Sequence, residues 1–409
     1  MKGTFSSLNI RNFRIYFIGQ VISTSGTFMQ SVAQAWLVLK LTNSGTALGL
    51  VMALQYMPML FLSPWGGLIA DRFSKRKLLN ITQAAAGILA LLLGILVATG
   101  LVRLWMVYIL AFFLGAVNVV DNPTRQAFVS EMVGKDKLRN AVTLYTTMVN
   151  LARVIGPAVA GIIITTGGLA LCFIINSISY IAVLIALFMM RADKLSSTPP
   201  VPHTKGQLLE GFNYIRSKPV ILNTLIMIAI IGTLAYEFQV SLALLAEFTF
   251  NGNAEGYAAL TSALGLGSVI GGLLTATSRV TSPSKLVSAA ALFGLAILLT
   301  ALAPNLIMAM ACLIFVGVFS IMFISTGNTM LQLNSAPGMR GRVMSFWTIG
   351  FLGSTAIGGP TIGWIGEYFG PRWGLAVGGF ATIFATILGA LKLRNVKFGH
   401  ISPTLHEME

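Results

Sequence analysis

GGLIADRFSKRK, residues 66–77, lies between two long apolar runs, and its reading decides the fold. A helix crossing the hydrocarbon core needs about 20 consecutive, mostly apolar residues, and one such run ends here while another begins at Leu78. The join is a tight basic turn with a single acidic residue, Asp71, followed by Arg72, Lys75, Arg76 and Lys77. Working outward, the pattern repeats: long apolar stretches are separated by short, mostly basic gaps. The chain of 409 residues is 56% hydrophobic and only 10% charged, with a mean hydropathy of +0.82. A soluble domain of this length does not tolerate such a balance.

The formal charge of +15 suggests nucleic-acid binding until its distribution is followed. The basic residues punctuate the gaps between apolar runs and form no continuous face, so a bilayer is the expected partner and nucleic acid is not. Cys172 and Cys312 fall inside apolar runs, so no disulfide framework is implied. His203, His400 and His406 all fall outside the runs, which leaves no metal site and no histidine proton relay. The first run, 13–39, is dotted with Gln, Ser and Thr and is too long for a signal peptide, and reads as an uncleaved first span.

Twelve spans are expected, near 13–39, 46–70, 78–100, 104–124, 141–166, 169–190, 220–246, 255–278, 286–303, 306–330, 342–367 and 373–392. The one long hydrophilic interval, 191–219, divides the chain into a first half of six spans (1–190) and a second (220–409). Within that interval Ser196 to Pro202 is a Pro-rich linker, and GQLLEGFNYIRS (206–217) reads as an amphipathic helix on the membrane surface. With both termini on the cytoplasmic side, 23 of the 27 Lys and Arg residues fall in cytoplasmic segments. The opposite loops hold only Lys40, Arg103 and Arg372, so the positive-inside bias sets the orientation. An internal repeat relates the halves: Gly156-Pro157 and Gly359-Pro360 share an offset of 203 with Arg139 and Arg342, and Gly66-Gly67-Leu68 returns as Gly271-Gly272-Leu273. Parallel six-span repeats place a binding site between the halves near the bilayer midplane.

The turn at 66–77 resembles the loop between helices 2 and 3 of major facilitator superfamily transporters. RNFRIYFIGQVISTSGTFMQSVAQAWLVLKLTNS (11–44), DNPTRQAF (121–128) and EGFNYIRSKP (210–219) resemble the enterobactin-exporter-like branch of that superfamily. The resemblance covers nearly the whole chain. It implies an all-α integral membrane protein of the major facilitator fold, with twelve helices in two pseudo-symmetric six-helix halves. It implies a multi-pass, monomeric protein of the bacterial inner membrane that exports siderophores, drugs or other lipophilic compounds. Related drug–proton antiporters carry an arginine in span 4 where this chain has Ala111. Their span 5 motif is matched at Gly156, Pro157 and Gly161, while Ala152 and Ala160 replace glycines.

Alternating access requires a releasable latch. Asp71, with Gly67 beside it, is placed to cap the amino-terminal end of span 11 near Gly341, where exposed N–H groups favour an anion. By resemblance, Lys75 or Arg72 then pairs with Asp121 at the cytoplasmic end of span 4. The alternative is that these cations only anchor topology. Gly156, Pro157, Gly161, Gly359 and Pro360 form the matching helix-packing motif.

Arg153 is the sharpest feature inside a span. It lies about twelve residues into span 5, roughly 18 Å deep, where a charge costs at least about 2.5–3.5 kcal/mol. Either it binds an anionic substrate group or holds a carboxylate, or it is a packing arginine satisfied by backbone carbonyls. Thr143, Thr146, Asn150, Arg153 and Pro157 line one polar stripe. Glu237 is the one carboxylate well inside a span, beside Tyr236 and Gln239, and is either a proton carrier or a solvated residue near the outer surface. Gln30, Gln34, Gln55, Tyr56 and Asn118 complete the candidate cavity, which spans 1, 2, 4, 5 and 7 are expected to line while spans 3, 9 and 12 face lipid. A packing role in interhelical hydrogen bonds is the alternative for Asn118 and Asn176.

There is no G-x-x-x-x-G-K-[ST] motif, no serine nucleophile elbow and no acidic cluster, so neither ATP hydrolysis nor a catalytic residue is expected. No cofactor is required, and the proton gradient is the expected energy source. The leading expectation is a proton-coupled secondary exporter of a small amphiphilic compound. An importer or facilitator of a nutrient or anion is the alternative, and a membrane-embedded enzyme on lipid-linked substrates a remote one.

Overall fold

In hydrocarbon every backbone N–H and C=O must be satisfied within the protein, and long apolar runs meet that demand as helices. The computed structural model describes residues 5–191, 195, 207–277, 282–336 and 338–393, and these are almost entirely helical. The linker at 196–202 and His203, His400 and His406 lie outside the described residues. The first five helices are α1 (Arg11–Thr42), α2 (Gly45–Arg72), α3 (Lys75–Ala98), α4 (Leu104–Gly167) and α5 (Leu169–Phe188). The remainder are α6 (Gln207–Ser217), α7 (Pro219–Ala235), α8 (Phe238–Leu244), α9 (Ala254–Thr277), α10 (Pro283–Leu302), α11 (Leu306–Asn334), α12 (Arg340–Thr348), α13 (Thr355–Tyr368) and α14 (Pro371–Leu393).

Local chemistry sets many of the ends. Ser44 and Asn305 cap α2 and α11, accepting from the amides of Ala47 at 3.1 Å and Met308 at 2.9 Å, which satisfies otherwise orphaned donors. Pro219 and Pro283 sit at the first positions of α7 and α10, where the missing N–H costs nothing. α4 contains a sharp bend at Gly134, whose φ of 68° and ψ of 177° are non-helical and suit a residue without Cβ.

Ten helical segments among the described residues are long and apolar enough to cross a membrane. Two of the twelve expected runs do not qualify. α1 is long enough but carries a line of Gln, Ser and Thr through its middle. The run at 342–367 is divided by a π segment, Ile349–Gly353, into α12 and α13, each too short to cross alone. The result is an all-α, multi-pass membrane fold.

Lipid-facing surfaces are plain. Ile81, Ile88, Leu92 and Ile95 of α3, and Phe380, Phe384, Ile387 and Leu391 of α14, fall at helical spacing and are exposed. A soluble protein would bury patches of this size. α1 to α5 pack on one another, as do α7, α9, α10, α11 and α14. The two groups meet where α2 crosses α13, α4 crosses α9, and α1 touches α8 and α9.

Candidate transport site

Two adjoining cavities lie where the groups meet. The inner one, about 300 Å³, is walled by Phe28, Tyr56, Arg153, Tyr236, Glu237, Gln239, Tyr257, Ser320 and Phe351 among others. A wider one of about 950 Å³ is lined by Thr146, Asn150, Lys285, Ser325, Asn328 and Trp347. Ile321, Ile324 and Phe351 line both, so the two adjoin, and the wider one, which Lys285 also lines, is the vestibule.

A break in the seventh apolar run shapes the inner cavity. α7 stops at Ala235 and α8 starts at Phe238, and Glu237 between them has φ −80° and ψ 42°. In an unbroken helix four consecutive residues spread round the whole circumference. Here Tyr236, Glu237, Phe238 and Gln239 all line the same cavity. The Tyr236 hydroxyl donates to the Ser320 carbonyl at 2.7 Å, and its ring packs on Phe351 at 4.8 Å and Phe293 at 5.3 Å. Glu237 is 3% exposed, and its Oε1 has no hydrogen-bond partner. Across the cavity the Arg153 guanidinium stands 5.6 Å from the centre of the Phe28 ring, a cation–π contact. Arg153 and Glu237 do not pair with each other. Tyr56 is within electrostatic reach of both.

The other expected cavity residues divide. Asn150 lines the vestibule. Gln30 is turned into the first helix group, where its Oε1 accepts from Asn176 Nδ2 at 2.6 Å. Gln34 Nε2 donates to Gln55 Oε1 at 3.3 Å, joining α1 to α2, and neither residue lines the two cavities. Asn118 is half-buried and lines neither. The walls also correct the expected set of spans: α9, α11 and the π segment contribute where span 4 does not, and α10, expected to face lipid, lends Lys285 and Ser288 to the vestibule. Serines and glycines on α9 were the signal available for this, weaker than the amides of span 1.

The expected Lys75–Asp121 or Arg72–Asp121 pair is not formed. Lys75 Nζ meets Glu131 Oε1 at 3.1 Å, and Arg72 is exposed. The reason is length: the helix holding Asp121 continues to Gly134, so Asp121 lies about 20 Å before its end. There, 1% exposed, it pairs with Arg125 one turn on and accepts from Thr82 Oγ1 at 2.6 Å and Gln83 Nε2 at 2.8 Å. Arg125 also donates to Gln20 Oε1 at 2.6 Å. Arg76 caps the end of α5, donating to the carbonyls of Leu187 at 2.7 Å and Phe188 at 3.0 Å.

The α2–α13 contact is closed at one end and open at the other. A Cβ on Gly45 would stand 2.6 Å from the Gly363 carbonyl oxygen, and one on Gly359 would stand 2.8 Å from that of Gly49, with Pro360 alongside. Beside them Glu367 Oε2 accepts from Ser44 Oγ at 2.7 Å and from the Thr46 amide at 2.8 Å, so a carboxylate at the end of α13 caps the start of α2. At the opposite end a Cβ on Gly67 or Gly341 would meet nothing within 4 Å, and Asp71 is half-buried in the last turn of α2. Gly66, not Gly67, makes the close packing contact there, against the Val119 carbonyl. On the neighbouring contact, Gly156 lies under Phe28, one residue before Pro157 inside α4, and Gly161 lies against Ala258, where a Cβ would stand 2.9 Å away. The Trp36 and Tyr257 rings stack at 6.4 Å near the closed end. Sequence reasoning missed Glu367, although it follows the last apolar turn of its run as Asp71 does in span 2.

A family model described as a transmembrane secretion effector matches residues 2–408. The chain belongs to this family of major facilitator transporters. The transporter is 27% identical to the enterobactin exporter EntS of Escherichia coli (strain K12), over 96% of its own length and 94% of that protein. It is 24% identical to the staphyloferrin A transporter of Staphylococcus aureus (strain NCTC 8325 / PS 47), over 81% of its length and 84% of that protein. Among solved structures, a POT family transporter in complex with 5-aminolevulinic acid superposes with a TM-score of 0.75 at 13% identity, covering 94% of this chain and 96% of that one. A bacterial homologue of the human lysosomal transporter Spinster, inward-facing and unoccupied, superposes with a TM-score of 0.70 at 13% identity, covering 94% and 95%. The fold is that of major facilitator transporters, and the transporter is a multi-pass inner-membrane protein that carries a small molecule by secondary transport and is not an enzyme.

Proposed function

We propose that this transporter exports a small amphiphilic, siderophore-like or drug-like compound by proton-coupled alternating access. The observation that carries the reading is the inner cavity, where Arg153 and Glu237 face one volume from opposite helix groups within an aromatic lining. Twelve helices in two six-helix halves (1–190 and 220–409, joined by 191–219) are the architecture that fits, with α1 and the α12–α13 run supplying the two less apolar crossings. Both termini lie on the cytoplasmic side in this reading, which makes the vestibule cytoplasmic and the conformer inward-open. The protein works as a monomer.

Glu237 carries the coupling proton: it is buried, has an unpartnered oxygen, and borders the cavity that substrate occupies. Release of the Glu367 cap from α2 opens the outer side, while Asp71 approaches the amino-terminal end of α12 to close the inner one. In this reading α2 and the α12–α13 run have a carboxylate at each end, each paired in turn with the positive terminus of a helix of the other half: Glu367 with the start of α2 and Asp71 with the start of α12. The names of the two relatives, an enterobactin exporter and a staphyloferrin A transporter, support a carrier of siderophore-like compounds.

Inside-out vesicles holding the purified protein test this. With an acid interior, uptake of catecholate compounds or lipophilic dyes that collapses on adding an uncoupler is expected. Uptake indifferent to the gradient would overturn proton coupling, and uptake only from right-side-out vesicles would overturn export.

A further inference from the structure

We infer that the inner cavity selects compounds bearing a carboxylate on a flat aromatic body, with Arg153 as the residue that reads the anion. This rests on the cavity being the transport site and names the substrate class it admits.

Arg153 is the reason. Among the described residues its guanidinium has no hydrogen-bond or ion-pair partner, and it stands over the Phe28 ring. The packing alternative requires backbone carbonyls around the guanidinium, and none accepts from it. A guanidinium deep in a membrane protein is costly unless it is paired or faces water, and one aromatic face offsets only part of that cost. The remaining cost is met when an anion arrives. Guanidinium donors form a planar fork that matches a carboxylate in two parallel hydrogen bonds.

The opposite wall sets the rest of the ligand. Tyr236 and Phe351 on that wall and Tyr56 of α2 on the Arg153 side line the same volume, and the lining is mostly apolar, so a planar apolar body has faces to stack on. Glu237 on that wall, its Oε1 unpartnered, offers an anionic group no cationic partner and repels it whenever the carboxyl is deprotonated, which orients the ligand with its carboxylate toward Arg153. A permanent cation is repelled from the Arg153 side, and Glu237 attracts it only when deprotonated, so with the coupling proton in place it has no seat comparable to that of the carboxylate.

Pyrene probes separate these terms. Pyrenebutyrate, its methyl ester and the corresponding trimethylammonium compound share one aromatic body and differ in charge. Binding is measured by fluorescence to the transporter in zwitterionic-lipid nanodiscs, with empty nanodiscs subtracted. The butyrate is expected to bind at least about tenfold tighter than the ester, equal to about 1.4 kcal/mol, and the cation weakest. Arg153→Met should remove the preference while leaving ester binding unchanged, and Arg153→Lys should restore part of it. Equal binding of all three probes, or a preference that survives Arg153→Met, would overturn the inference. No gradient is needed, so charge-selective binding together with gradient-independent transport would overturn the coupling proposal alone.

Discussion

At the residue scale, two charge sites inside the helix groups do different work. Asp121 and Arg125 satisfy each other within one helix and draw in Thr82, Gln83 and Gln20, which makes them a structural unit of the first helix group. Removing one partner of a buried pair leaves an uncompensated charge and costs about 3–5 kcal/mol. Asp121→Asn should therefore lower thermal stability in detergent markedly, and the double variant Asp121→Asn with Arg125→Met should recover much of the loss. A double variant no more stable than the single one would contradict this. Arg153 and Glu237, by contrast, have no charged partner: Arg153 stands over the Phe28 ring, and Glu237 bonds with Thr355 while its Oε1 is left open. Glu237→Gln keeps the volume and removes the exchangeable proton. It should leave binding of an aromatic carboxylate intact and abolish gradient-driven accumulation, with counterflow exchange preserved. Arg153 was legible in the sequence because a charge inside an apolar run stands out. The Asp121–Arg125 pair was not, because span 4 reads as ending at 124 while the helix continues to Gly134, hiding a second intramembrane arginine as a loop residue.

At the element scale, function depends on interruptions of helices that apolar runs do not reveal. The gap at Tyr236–Glu237 and the π segment at Ile349–Gly353 turn side chains into the cavity, and neither break in the apolar pattern is announced by a proline. A period of 3.6 residues therefore located Glu237 but could not show that its three neighbours share its cavity. The α2–α13 contact gives the clearest element-level expectation. An anion at a surface helix start contributes about 0.3–1 kcal/mol, so Glu367→Gln should shift the ratio of closed to open outer ends roughly two- to fivefold toward open. Spin labels at Leu41 and Tyr368 would report this as a larger population of long distances. A distance distribution unchanged from the parent would remove Glu367 from the latch. Gly49→Val acts more strongly, since its side chain would occupy the space of the Gly359 carbonyl, and should prevent the outer end from closing at all.

At the scale of the whole molecule, composition and spacing carried the membrane class and the helical fold, and the turn at 66–77 carried the family. What they could not carry was how helices from distant parts of the chain meet. The walls of the inner cavity come from α1, α2, α4, the break between α7 and α8, α8, α9, α11, the π segment and α13, and adjacency of that kind follows from packing of glycine faces such as Gly45 on Gly363 and Gly49 on Gly359, not from the period of any one helix. The same packing makes the two ends of the molecule unequal, shut beside Glu367 and open beside Lys285. Asp71→Asn should impair transport while leaving expression and carboxylate binding largely intact, because it acts on the conformer in which the open end closes. Full transport by that variant would remove the inner latch from the account.

The most direct test is uptake into inside-out proteoliposomes with an acid interior, comparing the parent protein with Glu237→Gln, with and without uncoupler, for a catecholate or aromatic carboxylate substrate. The parent should accumulate substrate above equilibrium until the uncoupler is added, and Glu237→Gln should only equilibrate it. Accumulation by Glu237→Gln equal to that of the parent would contradict the central claim that protons drive export through this cavity.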